Sequence, residues 1–335
     1  MSLRLHGDTL ARQGLLDFAV NVWPGERPAV LQKALQRALE DINRYPDESE
    51  AKEAIAARHG RSSKEVLLTN GACDAFWLLA QAFRPKHGVC IHPSFTEPEA
   101  AIRAAGSKVT NLAREGERWS FNPADVPEEA DLVVLGNPNN PTGALDPHDA
   151  IVALARQERL LVVDESFIDF VPSETASLAG RTDVHGLIVV RSLTKLWSLA
   201  GIRAGYLLGP AQAVERLTAH RQPWSVNRLA CAALTACASD GETAPRVAAE
   251  VASAREELAE ALRLLPNVGV WPSQANFLLL RVPDGPGVVE GLRDRGIAVR
   301  PAASFPGLDE SYIRIAVRMR DDNAALLSAL AELVS

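Results

Sequence analysis

The chain has 335 residues, with 35 Lys and Arg against 42 Asp and Glu, a formal charge of −7 at neutral pH. Hydrophobic residues make up 47% and charged residues 23%, the composition of a globular chain long enough for two domains. The acidic balance argues against a nucleic-acid-coating protein, which needs a basic footprint. It leaves room for a small anion held by a few local arginines.

The four cysteines, Cys73, Cys90, Cys231 and Cys237, form no Cys-x-x-Cys pair. With seven scattered histidines they give no zinc spacing and no HExxH, so no metal is expected. Charge comes too early at the N-terminus for a secretory leader. No run approaches the ~20 apolar residues of a membrane helix. The expectation is a reduced, cytoplasmic, soluble protein with its cysteines in the core, and no nucleic-acid or membrane partner.

In chain order, the first segment reads as an arm followed by a helix over 29–41. Short apolar, β-branched runs follow at 65–69, 88–92, 108–112, 131–135, 160–163, 187–190 and 204–208. Amphipathic stretches at 73–83, 96–105 and 147–157 lie between several of them. Strands too apolar to alternate, spaced by helices, predict a mostly parallel sheet covered on both faces. Ligands in such sheets bind at the carboxyl ends of the strands. After about residue 209 the pattern changes to helices at 214–218, 227–239 and 244–265. Strands at 276–282, 297–300 and 312–317 and helices at 287–295 and 320–334 complete the chain. The fold class predicted is α/β, with a large domain over 43–240 and a small α+β domain over 241–335. Residues 1–42 are expected to contribute an arm and a helix to the small domain.

Five segments carry candidate chemistry. Arg191-Ser192-Leu193-Thr194-Lys195 follows an apolar run, where an amine can be desolvated, lowered in pKa and able to condense with an aldehyde. Ser192 and Thr194, with Arg203 beyond, can hold a phosphate. Asp164, directly after Val162-Val163, sits at a strand end and needs a cationic partner such as a protonated pyridine nitrogen. In Gly136-Asn137-Pro138-Asn139-Asn140-Pro141-Thr142-Gly143 a stiff turn aims Asn140, whose amide can donate to a phenolate oxygen. Gly71, Ala72 and Cys73 open a helix after a strand, a phosphate cradle of backbone N–H groups. Phe95, after another strand, can stack on a planar ring. Each segment alone has a plain structural reading as well: a solvated loop lysine, a helix-capping or ion-paired aspartate, a rigid turn, a core phenylalanine.

Taken together, the strand-end Asp164, Lys195 in Ser-x-Thr-Lys, Arg203 and Asn-Pro-Thr-Gly upstream resemble the fold-type I pyridoxal-phosphate enzymes. The nearest likeness is to the histidinol-phosphate aminotransferase and threonine-phosphate decarboxylase branch of the class I/II aminotransferases, from His6-Gly7-Asp8 to the last helix. The resemblance implies pyridoxal 5′-phosphate bound covalently to Lys195, with Asp164 keeping its ring nitrogen protonated. Asn140 is implied at the ring's 3′-oxygen and Phe95 on its face. Gly71, Ala72, Cys73, Ser192, Thr194 and Arg203 are implied around its phosphate. It further implies Arg314 and Arg300 for a substrate anion, Asn21 on the substrate side, and a homodimer in which Tyr45 of Asn43-Arg44-Tyr45-Pro46 reaches the neighbouring site. Two positions depart from the family: Phe167 replaces a tyrosine that contacts the 3′-oxygen, and Cys73 stands where a hydroxyl or carboxylate is common. Phe167, within Asp164-Glu165-Ser166-Phe167-Ile168-Asp169-Phe170, matches the cobalamin-pathway relatives. The expected activity is therefore decarboxylation of phosphorylated threonine in cobalamin biosynthesis, with transamination of histidinol phosphate as the alternative. A non-catalytic descendant is disfavoured because Lys195, Asp164, Asn140 and Arg203 are all present.

Overall fold

The computed structural model describes residues 7–10 and 14–334, so His6 of the His6-Gly7-Asp8 motif lies outside the described residues. A short strand, Leu16–Asp17 (β1), and two helices, Ala29–Glu40 (α1) and Ser49–His59 (α2), come first. One sheet is then built from Val66–Asn70 (β2), His87–His92 (β3), Lys108–Ala113 (β4), Leu132–Gly136 (β5), Leu160–Asp164 (β6), Leu187–Ser192 (β7) and Ala204–Leu208 (β8). Between and after these strands lie Ala72–Phe83 (α3), Glu97–Ala104 (α4), His148–Val152 (α5), Ala211–His220 (α6) and Arg228–Ser239 (α7). The spatial order is β2-β8-β7-β6-β5-β3-β4. β4, β3, β5, β6 and β7 run parallel, and β8 is antiparallel to both its neighbours.

The central strands are apolar on both sides because helices cover both faces. Val133, Leu135, Leu161, Val163 and Val189 pack on one face with Ile55 and Leu234. Val134, Val162, Ile188 and Val190 pack on the other with Phe76, Leu79 and Leu217.

Thr243–Arg263 (α8) leads into a second sheet of Gly269–Val270 (β9), Phe277–Arg281 (β10), Arg300–Pro301 (β12) and Tyr312–Ala316 (β13). Gly285–Asp294 (α9) and Ile297–Ala298 (β11) interrupt it, and Arg320–Val334 (α10) closes the chain. The order is β12-β13-β10-β9, all antiparallel. Leu278, Leu280, Ile313 and Ile315 bury one face against Leu258, Leu262, Leu292, Leu326 and Leu330. The opposite face carries Leu279, Tyr312 and Arg314, and Arg300 lies across from Arg314 in register.

Four local differences from the sequence reading have physical causes. The run at 297–300 is two strands: β11 pairs in parallel with β1, and β12 pairs with β13. The N-terminal segment divides: β1 joins β11, whereas α1 packs Leu31 and Leu35 into the large-domain core beside α7. α5 ends at Val152, because Arg156 bonds the carbonyls of Ala153 and Ala155, and Arg159 ties those of Leu154, Ala130 and Pro127 into a turn. α2 has no signal in the sequence, because it buries only Ile55 and two alanines, too little for an apolar period. Among the described residues no helix is long and apolar enough to cross a membrane.

Candidate active site

Neighbouring parallel strands bring their carboxyl ends together, so Gly136 and Asp164 lie side by side with Ser192 just beyond. The loops leaving these ends carry Asn140, Phe167 and Lys195. Lys195 and Asp164 are walled by protein yet keep some accessible surface, in the cleft where the Arg314 strand approaches the Asn140 turn. Burial, then the charges of Arg314 and Arg203, pull the Lys195 ammonium down from 10.5 to about 8, against the attraction of Asp164 and Asp8. Burial raises the Asp164 carboxyl. Ser166 opposes that rise by donating from its amide (3.0 Å) and hydroxyl (2.5 Å) to Oδ1, and the charge of Lys195 opposes it as well.

A cradle lies beside this pair. Gly71, at φ 79°, opens α3 without a side-chain cap, and a Cβ there would stand 2.4 Å from Arg203 Nη2. A Cβ on Gly205 would meet the Gly71 backbone at 2.8 Å, so both glycines are required for the close approach of β8 to the α3 start. Ser192 Oγ and Thr194 Oγ1 are 2.8 Å apart and buried. Arg203 bonds the carbonyl of Ala200 and has no carboxylate partner among the described residues. The Cys73 thiol faces Glu97 at 3.6 Å, and burial beside that carboxylate pushes it up to about 12. Its side chain is therefore a neutral donor to Glu97, which leaves the cradle to the backbone. Phe95 is half-buried, with its ring 6.4 Å from Phe76.

Arg314 reaches across the cleft from β13. Its Nη1 donates to Asn140 Oδ1 and its Nη2 to the Ala19 carbonyl at 2.7 Å. Because Arg314 occupies Oδ1, the donating end of the Asn140 amide is left for another acceptor. Arg300 donates to the Pro301 carbonyl (2.8 Å) and Ser304 Oγ (2.6 Å). Burial lowers Arg314 to about 9, with Arg300 adding repulsion, and burial lowers Arg300 to about 10. Phe167 stands between the halves: its ring is 5.7 Å from Lys195 Nζ and edge-on to Phe277, over which Arg314 lies at 5.4 Å.

Asn21 is buried, its Oδ1 without a partner among the described residues, and its carbonyl accepts from Asn276 Nδ2 at 3.3 Å. Tyr45 is apart from these residues. It is 75% exposed on the surface and stacked on Trp224 at 4.6 Å. Sequence reasoning missed Ser166, Glu97 and Asn276. Ser166 alone left a signal, as a hydroxyl two residues after a strand-end aspartate. The other two act through partners distant in sequence.

The family model for aminotransferase class I and II matches residues 13–330. The chain belongs to that family. A protein named histidinol-phosphate aminotransferase in Mycobacterium tuberculosis is 40% identical, over 98% of this chain and 90% of its own. The threonine-phosphate decarboxylase of Salmonella typhimurium is 33% identical, over 94% of this chain and 90% of its own. The crystal structure of L-threonine-O-3-phosphate decarboxylase from Porphyromonas gingivalis superposes with a TM-score of 0.85 at 28% identity, covering 94% of this chain and 98% of that one. The enzyme is thus a pyridoxal-phosphate-dependent transaminase or lyase of fold type I.

The residues present fit that cofactor. A desolvated amine and a buried carboxylate face the same cleft, and a cradle that a Cβ would fill lies beside an arginine without an acid partner. Lys195 is the candidate for the covalent attachment and Asp164 for the pyridine nitrogen. Gly71, Ala72, Cys73, Ser192, Thr194 and Arg203 are candidates for the phosphate. The lowered pKa makes the neutral Lys195 amine abundant from about pH 8 upward. Cofactor uptake by the cofactor-free enzyme is expected to accelerate through about pH 8. An acceleration centred near 10.5, the ordinary lysine value, would contradict the burial of this amine.

Proposed function

We propose that the enzyme decarboxylates a phosphorylated amino acid, L-threonine O-3-phosphate, in cobalamin biosynthesis. The observation that carries this reading is the arginine pair. Arg300 and Arg314 stand opposite each other on β12 and β13, both 5% exposed or less. Two desolvated guanidiniums side by side repel, and only the charge of Asp17 offsets this at Arg314. Such a pair favours a ligand with more than one negative group. Phosphothreonine has a carboxylate and a phosphate, whereas histidinol phosphate has only the phosphate. The relatives named threonine-phosphate decarboxylase support the same reading.

When bound, the cofactor supplies an aldehyde that condenses with the substrate amine and a protonated ring that accepts the electron pair of the Cα bond standing perpendicular to it. The protein decides which bond that is. Asp164 holds the proton on the ring nitrogen. Arg314, fixed by Asn140 and Ala19, and Arg300 hold the anionic groups and so set the rotation about Cα. Lys195, as a free amine beside the substrate, would return a proton to Cα after carbon dioxide departs. The alternative is transamination, favoured by the 40% identity to the mycobacterial protein. In that case Lys195 moves the Cα proton instead.

The two readings separate in one pair of assays. Phosphothreonine is expected to release carbon dioxide without a keto-acid acceptor. Glutamate formed from histidinol phosphate and 2-oxoglutarate, with no carbon dioxide from phosphothreonine, overturns the decarboxylase.

The enzyme is proposed to act as a homodimer. Val30, Leu39, Ile42, Tyr45 and Trp224 are large apolar side chains at least 50% exposed, and α1 and the turn after it carry four of them. Tyr45 is proposed to touch the neighbouring cofactor phosphate. Tyr45→Phe is expected to weaken cofactor binding about tenfold or more with the dimer intact in sedimentation, the loss of one hydrogen bond to a charged group. A monomeric wild type would contradict the shared site.

A further inference from the structure

A hairpin of the large domain touches the sheet that carries the two arginines. After β4 the chain doubles back, closed by reciprocal Glu115 and Ser120 backbone bonds of 2.7 and 3.0 Å. Trp119, at φ 51°, adopts a left-handed backbone unusual for a bulky residue. Its carbonyl accepts from Arg114 Nη1 at 2.9 Å. The same guanidinium grips both Asp146 oxygens at 2.8 and 2.7 Å, and the Asp146 amide donates to Asn137 Oδ1 at 2.8 Å. Trp119 is thereby anchored to the turn that presents Asn140.

The indole lies on the small sheet. Its centroid is 5.8 Å from that of Trp271 and 6.2 Å from that of Tyr312, which are 5.4 Å from each other. Its buried Nε1 has no partner among the described residues, so packing alone holds the ring. Tyr312 precedes Arg314 by two residues and shares its face of β13. Leu279, Ala302, Phe305 and Leu308 underlie the aromatic trio, and Arg300 sits 5.1 Å over the Phe305 ring. One aromatic cluster therefore joins the Asn140 turn to both guanidiniums.

We propose that Trp119 is a positioning residue: it sets the height of the arginine-bearing sheet above the lysine, and so the affinity for the anionic part of the substrate. This inference rests on the reading of Arg300 and Arg314 as the substrate-anion site. Trp119→Ala is expected to raise KM for phosphothreonine about tenfold, the effect of one or two lost aromatic contacts, with kcat and cofactor affinity within about twofold. Trp119→Phe, which keeps a ring, is expected to recover most of the loss. Inorganic phosphate is expected to compete with phosphothreonine for the cofactor-loaded wild type, whose cradle is already filled, with weaker phosphate binding in Trp119→Ala. Trp119→Leu serves the same comparison if the alanine variant does not fold. An unchanged KM in a folded Trp119→Ala or Trp119→Leu overturns the proposal. A parallel fall of kcat, cofactor affinity and melting temperature also overturns it, since that marks a prop without a positioning role. Arg314→Ala is the control: if it too leaves KM and phosphate binding unchanged, the anion-site reading has failed rather than the grip of Trp119.

Discussion

An amine and a carboxylate stand at the carboxyl ends of adjacent parallel strands, both stripped of most of their water. Everything else in the cleft depends on that placement. Lys195 is held down in pKa and Asp164 is held up, so neither is at ease in the charged form without a partner of the right shape. The sheet keeps them in register, and Ser166 fixes the carboxylate through two hydrogen bonds to one oxygen. A protonated heteroaromatic nitrogen bound there would satisfy Asp164, and Lys195 is the amine that would meet its aldehyde.

The chain as a whole is acidic, yet the cleft gathers Lys195, Arg203, Arg300 and Arg314. This local excess of positive charge matches a phosphorylated cofactor and an anionic substrate, and it is stronger for being desolvated. The two sheets divide the work. The large sheet contributes the amine, the carboxylate and the cradle. The small sheet contributes the paired guanidiniums, tied back to the large domain through Asn140 and the Trp119 cluster.

Much of this could be read from the residues. The seven runs of the large sheet stood out because strands buried on both faces are uniformly apolar, and they end where Asp164 and Ser192 begin the chemistry. What escaped depended on partners distant in sequence. The run at 297–300 does not reveal that its halves pair with different strands. α2 is alanine-rich and buries only Ile55 as a large side chain, so it has no visible period. The position of Cys73 at the cradle is legible, but its thiol turns to Glu97, a buried carboxylate twenty-odd residues on. Trp119 stands in a polar hairpin, and its contacts with Trp271 and Tyr312 exist only after both domains have folded.

The most direct measurement is to reduce the cofactor-loaded protein with borohydride and map the modified residue by peptide mass spectrometry. The account predicts a phosphopyridoxyl group on Lys195, and none in a Lys195→Ala protein treated in the same way. Modification of a different lysine, or of none, would contradict it.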